Sequence, residues 1–307
     1  MDIVYHNGTN GSSPWVDFYP YTPSASAGYA FMGLFGVATV AHFVFIFLFR
    51  APYFLPMIIG GICETFGYYG RAWSHQSRTD IGSWALGAML IMTAPPLLAA
   101  TIYMVLGRII RSFDAEHLSR MRVKRLTLTF VLNDVICFCT QLGGIGIQVT
   151  GDANIISIGD KVVLAGLIFS LFIFALFVWI AVDFHRRLSR EPTKILLIKP
   201  EESIPWKRYM IALYISSLAM IIRNLVRAIQ FGASRLSPVN TQEAYIYVFD
   251  AFMMFISMAV LLVYHPGNLI KKARRIATVN QLHRELVTPE VGDDAANYGH
   301  IPMTDRI

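Results

Sequence analysis

Seven apolar blocks of about 20 residues each dominate this sequence of 307 residues. They cover residues 28–49, 53–73, 81–107, 126–149, 162–182, 209–231 and 245–264. A hydrocarbon core about 30 Å thick takes roughly 20 helical residues to cross. Only 15% of the residues are charged, against about 25% in soluble domains. The blocks lack the alternation of strands, and helices satisfy their backbone polar groups internally. The sequence therefore predicts an all-α, polytopic membrane protein with seven transmembrane helices.

The distribution of basic residues predicts the orientation of these helices. If the N-terminus is outside, 20 of the 26 Lys and Arg residues fall in inner connections and only three fall in outer ones. Cytoplasmic loops of membrane proteins are enriched in Lys and Arg, so we expect the N-terminus outside and the C-terminus in the cytoplasm. Attraction to an anionic inner leaflet accounts for the net charge of +6. No nucleic-acid-binding motif accompanies this charge, so no nucleic-acid partner is expected.

The chain divides into three predicted parts. Residues 1–27 form a polar extracellular tail, in which Asn7 and Asn10 begin N-glycosylation sequons. Residues 28–264 form the membrane domain. Residues 265–307 form a cytoplasmic tail that is basic at first and is expected to be disordered beyond residue 276. The two sequons indicate a eukaryotic secretory-pathway membrane, and we expect the plasma membrane.

Polar side chains inside the blocks are the candidate functional residues, because an ionisable group in a membrane span is costly unless it is paired or faces a cavity. Three acids and three arginines lie there, and their formal charges sum to zero. Residues three, four or seven positions apart share a helix face, which predicts polar stripes on four helices facing a common interior. The candidate substrate-binding or cavity residues are Glu64, Tyr68, Arg71, Asp134, Gln141, Arg223, Arg227, Glu243, Tyr247 and Asp250.

Two interpretations of these stripes stay open. One is a polar cavity that opens toward the outer leaflet, where arginine would bind a carboxylate or phosphate. The other is a set of ion pairs that only fix helix packing. Pro95 and Pro96 in the third block predict a kink, since each removes a helical hydrogen bond. The kink is either a gating hinge or a packing feature.

Motifs of enzymes are missing from the sequence. His42 is the one histidine well inside a block, and no nucleophile elbow or phosphate-binding loop occurs. The three cysteines lie in apolar blocks without zinc-site spacing. We therefore expect no catalytic residue, no metal, no cofactor and no enzyme activity.

Several local motifs together resemble one family. Residues 64–71 read E-T-F-G-Y-Y-G-R and resemble the E-x-x-G-Y-x-x-R element of the fungal lipid-translocating exporter family. Residues 94–108 are similar to its A-P-x-x-x-A-A-x-x-Y-x-x-x-G-R stretch, and residues 134–144 to its D-x-x-x-x-x-x-Q-x-x-G segment. Residues 243–250 and 265–267 match its E-x-x-x-Y-x-x-D and H-P-G elements. Residues 223–230 resemble its R-x-x-x-R-x-x-E segment, but Gln230 stands where Glu is usual.

The resemblance extends over about residues 28–270 and implies a seven-helix protein of fungal membranes. Members of the family are linked to export of sphingoid long-chain bases, to resistance against amphiphiles including an amino-sterol, and to porphyrin uptake. The implied function is transport or transbilayer export of amphipathic lipids or related toxicants, with membrane lipids as partners. The alternatives are a seven-helix receptor that signals through its basic inner loops and, with less support, a lipid-modifying enzyme.

Overall fold

A computed structural model describes residues 4–6, 15–17, 19, 21–76, 78–148, 153–197, 205–233 and 237–287. Apart from a short antiparallel hairpin, the elements in these ranges are helical, as the sequence predicts. They are, in chain order, β1 (Val4–His6), β2 (Trp15–Asp17), α1 (Ala25–Phe49), a 3-10 helix (Pro52–Phe54), α2 (Leu55–Trp73), α3 (Ile81–Ser112), a second 3-10 helix (Glu116–Leu118), α4 (Val123–Gln148), α5 (Ala153–Arg190), α6 (Lys194–Leu197), α7 (Trp206–Gly232), α8 (Pro238–Thr241), α9 (Ala244–Ile246), a π-helical segment (Tyr247–Ala251), α10 (Phe252–Val263) and α11 (Pro266–Val287). Asn7 and Asn10 lie outside the described residues.

The chain is a multi-pass membrane protein. Among the described residues, six helical stretches are long and apolar enough to cross a membrane: Ala25–Phe49, Ile81–Ser112, Val123–Gly144, Ile158–Arg190, Trp206–Gly232 and Ala244–Val279. Helix α2 is not among them, because Glu64, Arg71 and several glycines and tyrosines lower its hydropathy. The predicted count of seven spans therefore remains a prediction.

Contacts between residues that are far apart in the sequence define the two ends of the helix bundle. At the Arg71 end, Ser24 before α1, Arg71 near the end of α2 and Glu243 before α9 are in hydrogen-bond contact. At the Arg108 end, Arg50 after α1, Tyr53 before α2 and Arg108 in α3 line one cavity. Helix α2 therefore runs between the same two ends as α1, in the opposite direction.

Glycines bring α2 and α3 into backbone contact. A Cβ atom added to Gly70 would lie 2.8 Å from the backbone nitrogen of Gly87. Such a distance leaves no room for any side chain, so the small residues set the spacing between these helices. Helix α2 is consequently buried along most of its length, with Glu64, Tyr68 and Arg71 held inside the bundle.

Apolar side chains cover the outside of the bundle as well as its core. Tyr103, Phe130, Phe174 and Phe177 are fully buried and form one aromatic cluster. Large apolar residues such as Val37 on α1 are well exposed, as are many on the other outer helix faces. Exposed apolar surface of this extent is what contact with lipid requires.

Helix α11 corrects one prediction. The sequence predicts disorder beyond residue 276, but the helix continues to Val287. Pro266 stands at its first position, where a missing N–H costs nothing. Leu269, Ile270, Ala273 and Ile276 are buried against the bundle, so the basic start of the tail is an amphipathic helix.

Candidate functional site

Arg71 is the centre of a network at the Arg71 end. Its Nη2 donates a hydrogen bond to the Tyr21 hydroxyl at 2.6 Å and forms an ion pair with Glu243 Oε1 at 3.1 Å. The Glu243 carboxylate also accepts hydrogen bonds from the backbone N–H of Ser24, at 2.9 and 3.1 Å. The guanidinium carbon lies 5.5 to 5.6 Å from the ring centres of Tyr19, Tyr21 and Tyr247. An arginine held by one carboxylate and three aromatic faces is well compensated for its burial.

Tyr68 lies one turn below Arg71 on the same face of α2. Its ring stacks on Phe35, with centroids 5.6 Å apart, and lies 5.7 Å from that of Phe31 and 6.1 Å from that of Tyr247. Tyr68 is fully buried, and its hydroxyl has no hydrogen-bond partner among the described residues. A polar atom in this position is available to a ligand or to water.

Asp250 joins two arginines of α7 to the π-helical segment. Its Oδ1 accepts a hydrogen bond from Arg223 Nε at 2.6 Å, and its Oδ2 accepts one from Arg227 Nη2 at 2.5 Å. All three side chains are buried. Hydrogen bonds in which both groups are charged are the strong ones, so the three residues form one rigid unit.

Glu64 lies next to this unit but has no hydrogen bond of its own. It is 1% exposed, and neither carboxyl oxygen has a partner in the part of the chain that the structure describes. Arg223 and Arg227 interact electrostatically with Glu64 as opposite charges, and Asp250 does so as a like charge. Arg223 Nη2 and Arg227 Nε also lack acceptors among these residues. Donors and an acceptor therefore stand close together with unused bonding capacity.

Glu64, Arg223, Arg227 and Asp250 together form what we call the Glu64 cluster. A small cavity lies beside it. Pro95, Pro96, Asp134, Gln141 and Arg223 are among the residues that line it. Its volume is about 20 Å³, which is the room that about one water molecule needs. A lipid head group does not fit into it unless the helices move apart.

Asp134 and Tyr103 border the same region. Asp134 is 5% exposed, and its carboxyl group faces the buried Tyr103 hydroxyl of α3. The structure thus brings Asp134 and Gln141 of α4 next to Arg223 of α7, as common-interior packing of the stripes predicts. Pro95 and Pro96 lie within a continuous helix α3, and their role as a hinge remains a prediction.

Three contact residues are not among those that the sequence predicts. Tyr19 and Tyr21 belong to the predicted extracellular tail, yet they pack against Arg71. Two tyrosines directly before the first span were the available signal. Burial raises the pKa of the Tyr19 hydroxyl, so it stays neutral at physiological pH. Asn224 accepts a hydrogen bond from Arg223 Nη1 at 3.2 Å; the sequence marks it only as a polar residue inside a span.

Candidate metal ligands do not converge within the described residues. No group of three or more His, Cys, Asp or Glu side chains there could hold a metal ion. The contacts described above are instead those of carboxylates, guanidinium groups and aromatic rings. These groups are suited to binding an ammonium or phosphate head group and an apolar chain.

Comparison with known proteins identifies relatives in fungi. The chain is 28% identical to Protein RTA1 of Saccharomyces cerevisiae over 94% of its own length and 95% of that protein. It is 29% identical to Protoporphyrin uptake protein 1 of the same species, over 70% of this chain and 68% of the relative. It is 23% identical to the Sphingoid long-chain base transporter RSB1 of Saccharomyces cerevisiae, over 76% of this chain and 69% of the relative.

A match to a family model, rather than similarity to any single relative, establishes the family to which the chain belongs. No solved structure matches the chain. The model described as RTA1 like protein matches residues 57–273, which include all ten candidate cavity residues and reach from α2 into α11. The chain belongs to the RTA1-like family.

Proposed function

We propose that this protein moves an amphipathic lipid, such as a sphingoid long-chain base or a related amphiphilic toxicant, across the bilayer. The observation that carries the proposal is Glu64, a buried carboxylate without a hydrogen bond, next to the Arg223–Asp250–Arg227 unit. A group that is costly to bury and has no partner favours a ligand-binding role over a purely structural one. Relatives that are named as an uptake protein and as a transporter favour transport over a receptor or an enzyme.

The charges of the cluster match the head group of such a lipid. An ammonium group would donate to the Glu64 carboxylate, where it would supply the missing hydrogen bonds. A phosphate or hydroxyl on the same molecule would accept from the free Nη2 of Arg223. Both interactions replace water of hydration that the head group loses on entering the membrane.

The hydrocarbon chain of the lipid has a matching surface nearby. An apolar groove of about 470 Å³ runs between α1 and α10 and is lined by residues that include Gly33, Val37 and Phe255. The Phe255 ring meets Phe35, which stacks on Tyr68. We propose that the chain lies in this groove while the head group passes Tyr68 toward Glu64.

Movement of the head group needs a larger opening than the cavity of about 20 Å³ beside Asp134. Pro95 and Pro96 line that cavity, and each leaves a backbone carbonyl of α3 without its helical donor. We propose that α3 bends there and that the opened cavity faces the outer leaflet. With the N-terminus outside, glycans on Asn7 and Asn10 would mark that side in the plasma membrane.

Flux of a fluorescent sphingoid base across proteoliposomes tests the proposal. We expect the protein to accelerate flux and Glu64→Gln to reduce it about tenfold, since one charge-assisted hydrogen bond to the substrate is lost. Glu116→Gln is the control, because Glu116 is exposed in an ion pair with Arg111 outside the cluster. Equal flux in protein-containing and empty vesicles would overturn the proposal, and so would equal flux of Glu64→Gln and the wild type.

A further inference from the structure

A second, larger cavity lies at the Arg108 end, opposite the Arg71 network. It has a volume of about 520 Å³ and is lined from four parts of the chain: the end of α1 with Arg50 after it, Tyr53 before α2, the last turns of α3 and the start of α11. Four of its lining residues are cationic, Arg50, Arg108, Lys271 and Arg274, and none is acidic. A cavity with this lining carries a concentrated positive charge that the proposed transport does not use.

The four cavity cations have no ion pair among the described residues, whereas three other arginines do. Arg111 is paired with Glu116, and Arg120 and Arg187 are both paired with Asp183. None of the four cavity cations has an acidic partner within the described ranges. Like charges that converge without a counter-charge repel one another, so an anionic ligand would stabilise the arrangement.

Local structure holds the cations around the cavity. Arg50 has φ 49°, a left-handed conformation, and its N–H caps α1 by donating to the carbonyls of Ile46 and Phe47. The guanidinium carbon of Arg108 lies 5.1 Å from the centre of the buried Tyr53 ring. Lys271 and Arg274 are three residues apart on one face of α11.

The remaining lining is apolar and indicates a lipid rather than a soluble anion. Phe47 and Leu48, near the end of α1, line the cavity and are 67% and 61% exposed. They continue the lipid-facing surface of α1, so the cavity opens where acyl chains would lie. Cationic pockets between membrane helices on the cytoplasmic side are typical sites for anionic lipid head groups.

We propose that this cavity binds the phosphate-bearing head group of an anionic phospholipid. The phosphate contacts Arg50, Arg108, Lys271 and Arg274, and the acyl chains lie along Phe47 and Leu48. The bound lipid joins α11 to the end of α1 and stays in place while the transported lipid passes elsewhere. The site is therefore separate from the Glu64 cluster and does not depend on the transport proposal.

Lipid binding to the purified full-length protein tests this site. The probe is phosphatidylinositol 4-phosphate in mixed detergent micelles, measured by the rise in Tm as lipid is added. We expect Lys271→Gln with Arg274→Gln to weaken the affinity at least tenfold, since each cation near a lipid head group contributes appreciably. The matched control is Lys272→Gln with Arg275→Gln, which removes the same charge from the same helix but does not touch the cavity.

The outcomes separate a built site from general attraction. Equal weakening by both double variants would overturn the proposal, because only net charge would then matter. Inorganic phosphate that binds as tightly as the lipid would overturn the lipid assignment. If the double variant fails to fold, the comparison of Lys271→Gln with Lys272→Gln decides, since both side chains are exposed; equal affinity of these two would count against the site.

Discussion

At the scale of single residues, Asp250 and Glu64 differ in what holds them. Both are buried acids, but Asp250 accepts hydrogen bonds from two arginines, whereas Glu64 accepts none from the described residues. The structure thus contains one buried acid that is held by an ion pair and one that has no hydrogen-bond partner among the described residues. We expect their substitutions to separate stability from transport.

Asp250→Asn should lower the free energy of unfolding by about 3–5 kcal/mol, because it leaves two buried arginines without their anion. Glu64→Gln keeps the shape and removes no hydrogen bond, so it should cost less than about 1 kcal/mol. SDS titration of the purified variants, followed by circular dichroism, measures both values. Equal losses would show that Glu64 is as much a part of the ion-pair unit as Asp250.

The sequence predicted which residues are polar and inside, but not which of them pair. Glu64 and Arg71 lie on one face of α2 as their spacing predicts, yet Arg71 pairs with Glu243, which is 172 positions away. Helical periodicity relates residues on one helix only. Pairing between helices depends on how the helices pack and on contacts with the N-terminal tyrosines. The spacing of residues in a single sequence does not predict these contacts.

At the scale of elements, two features of the helices set the site. Asp250 lies in the π-helical segment Tyr247–Ala251, and such wide turns are frequent at functional sites. No residue pattern in the sequence predicts this turn. The backbone contact of α2 with α3 at Gly70 and Gly87 is the second feature, and it keeps Arg71 and Glu64 at their depth in the bundle.

Gly70→Ala should destabilise the protein by about 1–3 kcal/mol, since the added methyl group overlaps the backbone of α3 and forces the helices apart. Gly143→Ala is the matched control, because a Cβ at that position of α4 meets no atom within 4 Å. Thermal unfolding in the same detergent compares the two. A Gly70→Ala protein as stable as Gly143→Ala would show that the close approach of α2 and α3 is not required.

At the scale of the whole molecule, the hydropathy of α2 and its position indicate different topologies. Its composition leaves six helical stretches that qualify as spans, but its contacts place it between the same two ends as α1. Mean hydropathy averages over all faces of a helix. In α2 the polar residues are buried inside the bundle, whereas the exposed face is apolar and includes Ile59, Ile62 and Phe66, so its polar residues need not meet lipid. We therefore expect α2 to cross the membrane with the others.

The parity of the span count makes this expectation measurable. Seven crossings place residues 1 and 307 on opposite sides of the membrane, whereas six place them on the same side. Epitope tags at each end, stained in intact and then in permeabilised cells, should show the N-terminal tag outside and the C-terminal tag only after permeabilisation. Asn7→Gln with Asn10→Gln should abolish an endoglycosidase-sensitive mass shift and leave the staining unchanged, because glycosylation reports the same side independently. Accessibility of both tags in intact cells would show an even number of crossings and would exclude α2 as a span. A C-terminal tag that is accessible while the N-terminal tag is not would reverse the orientation and place the Arg108 end outside.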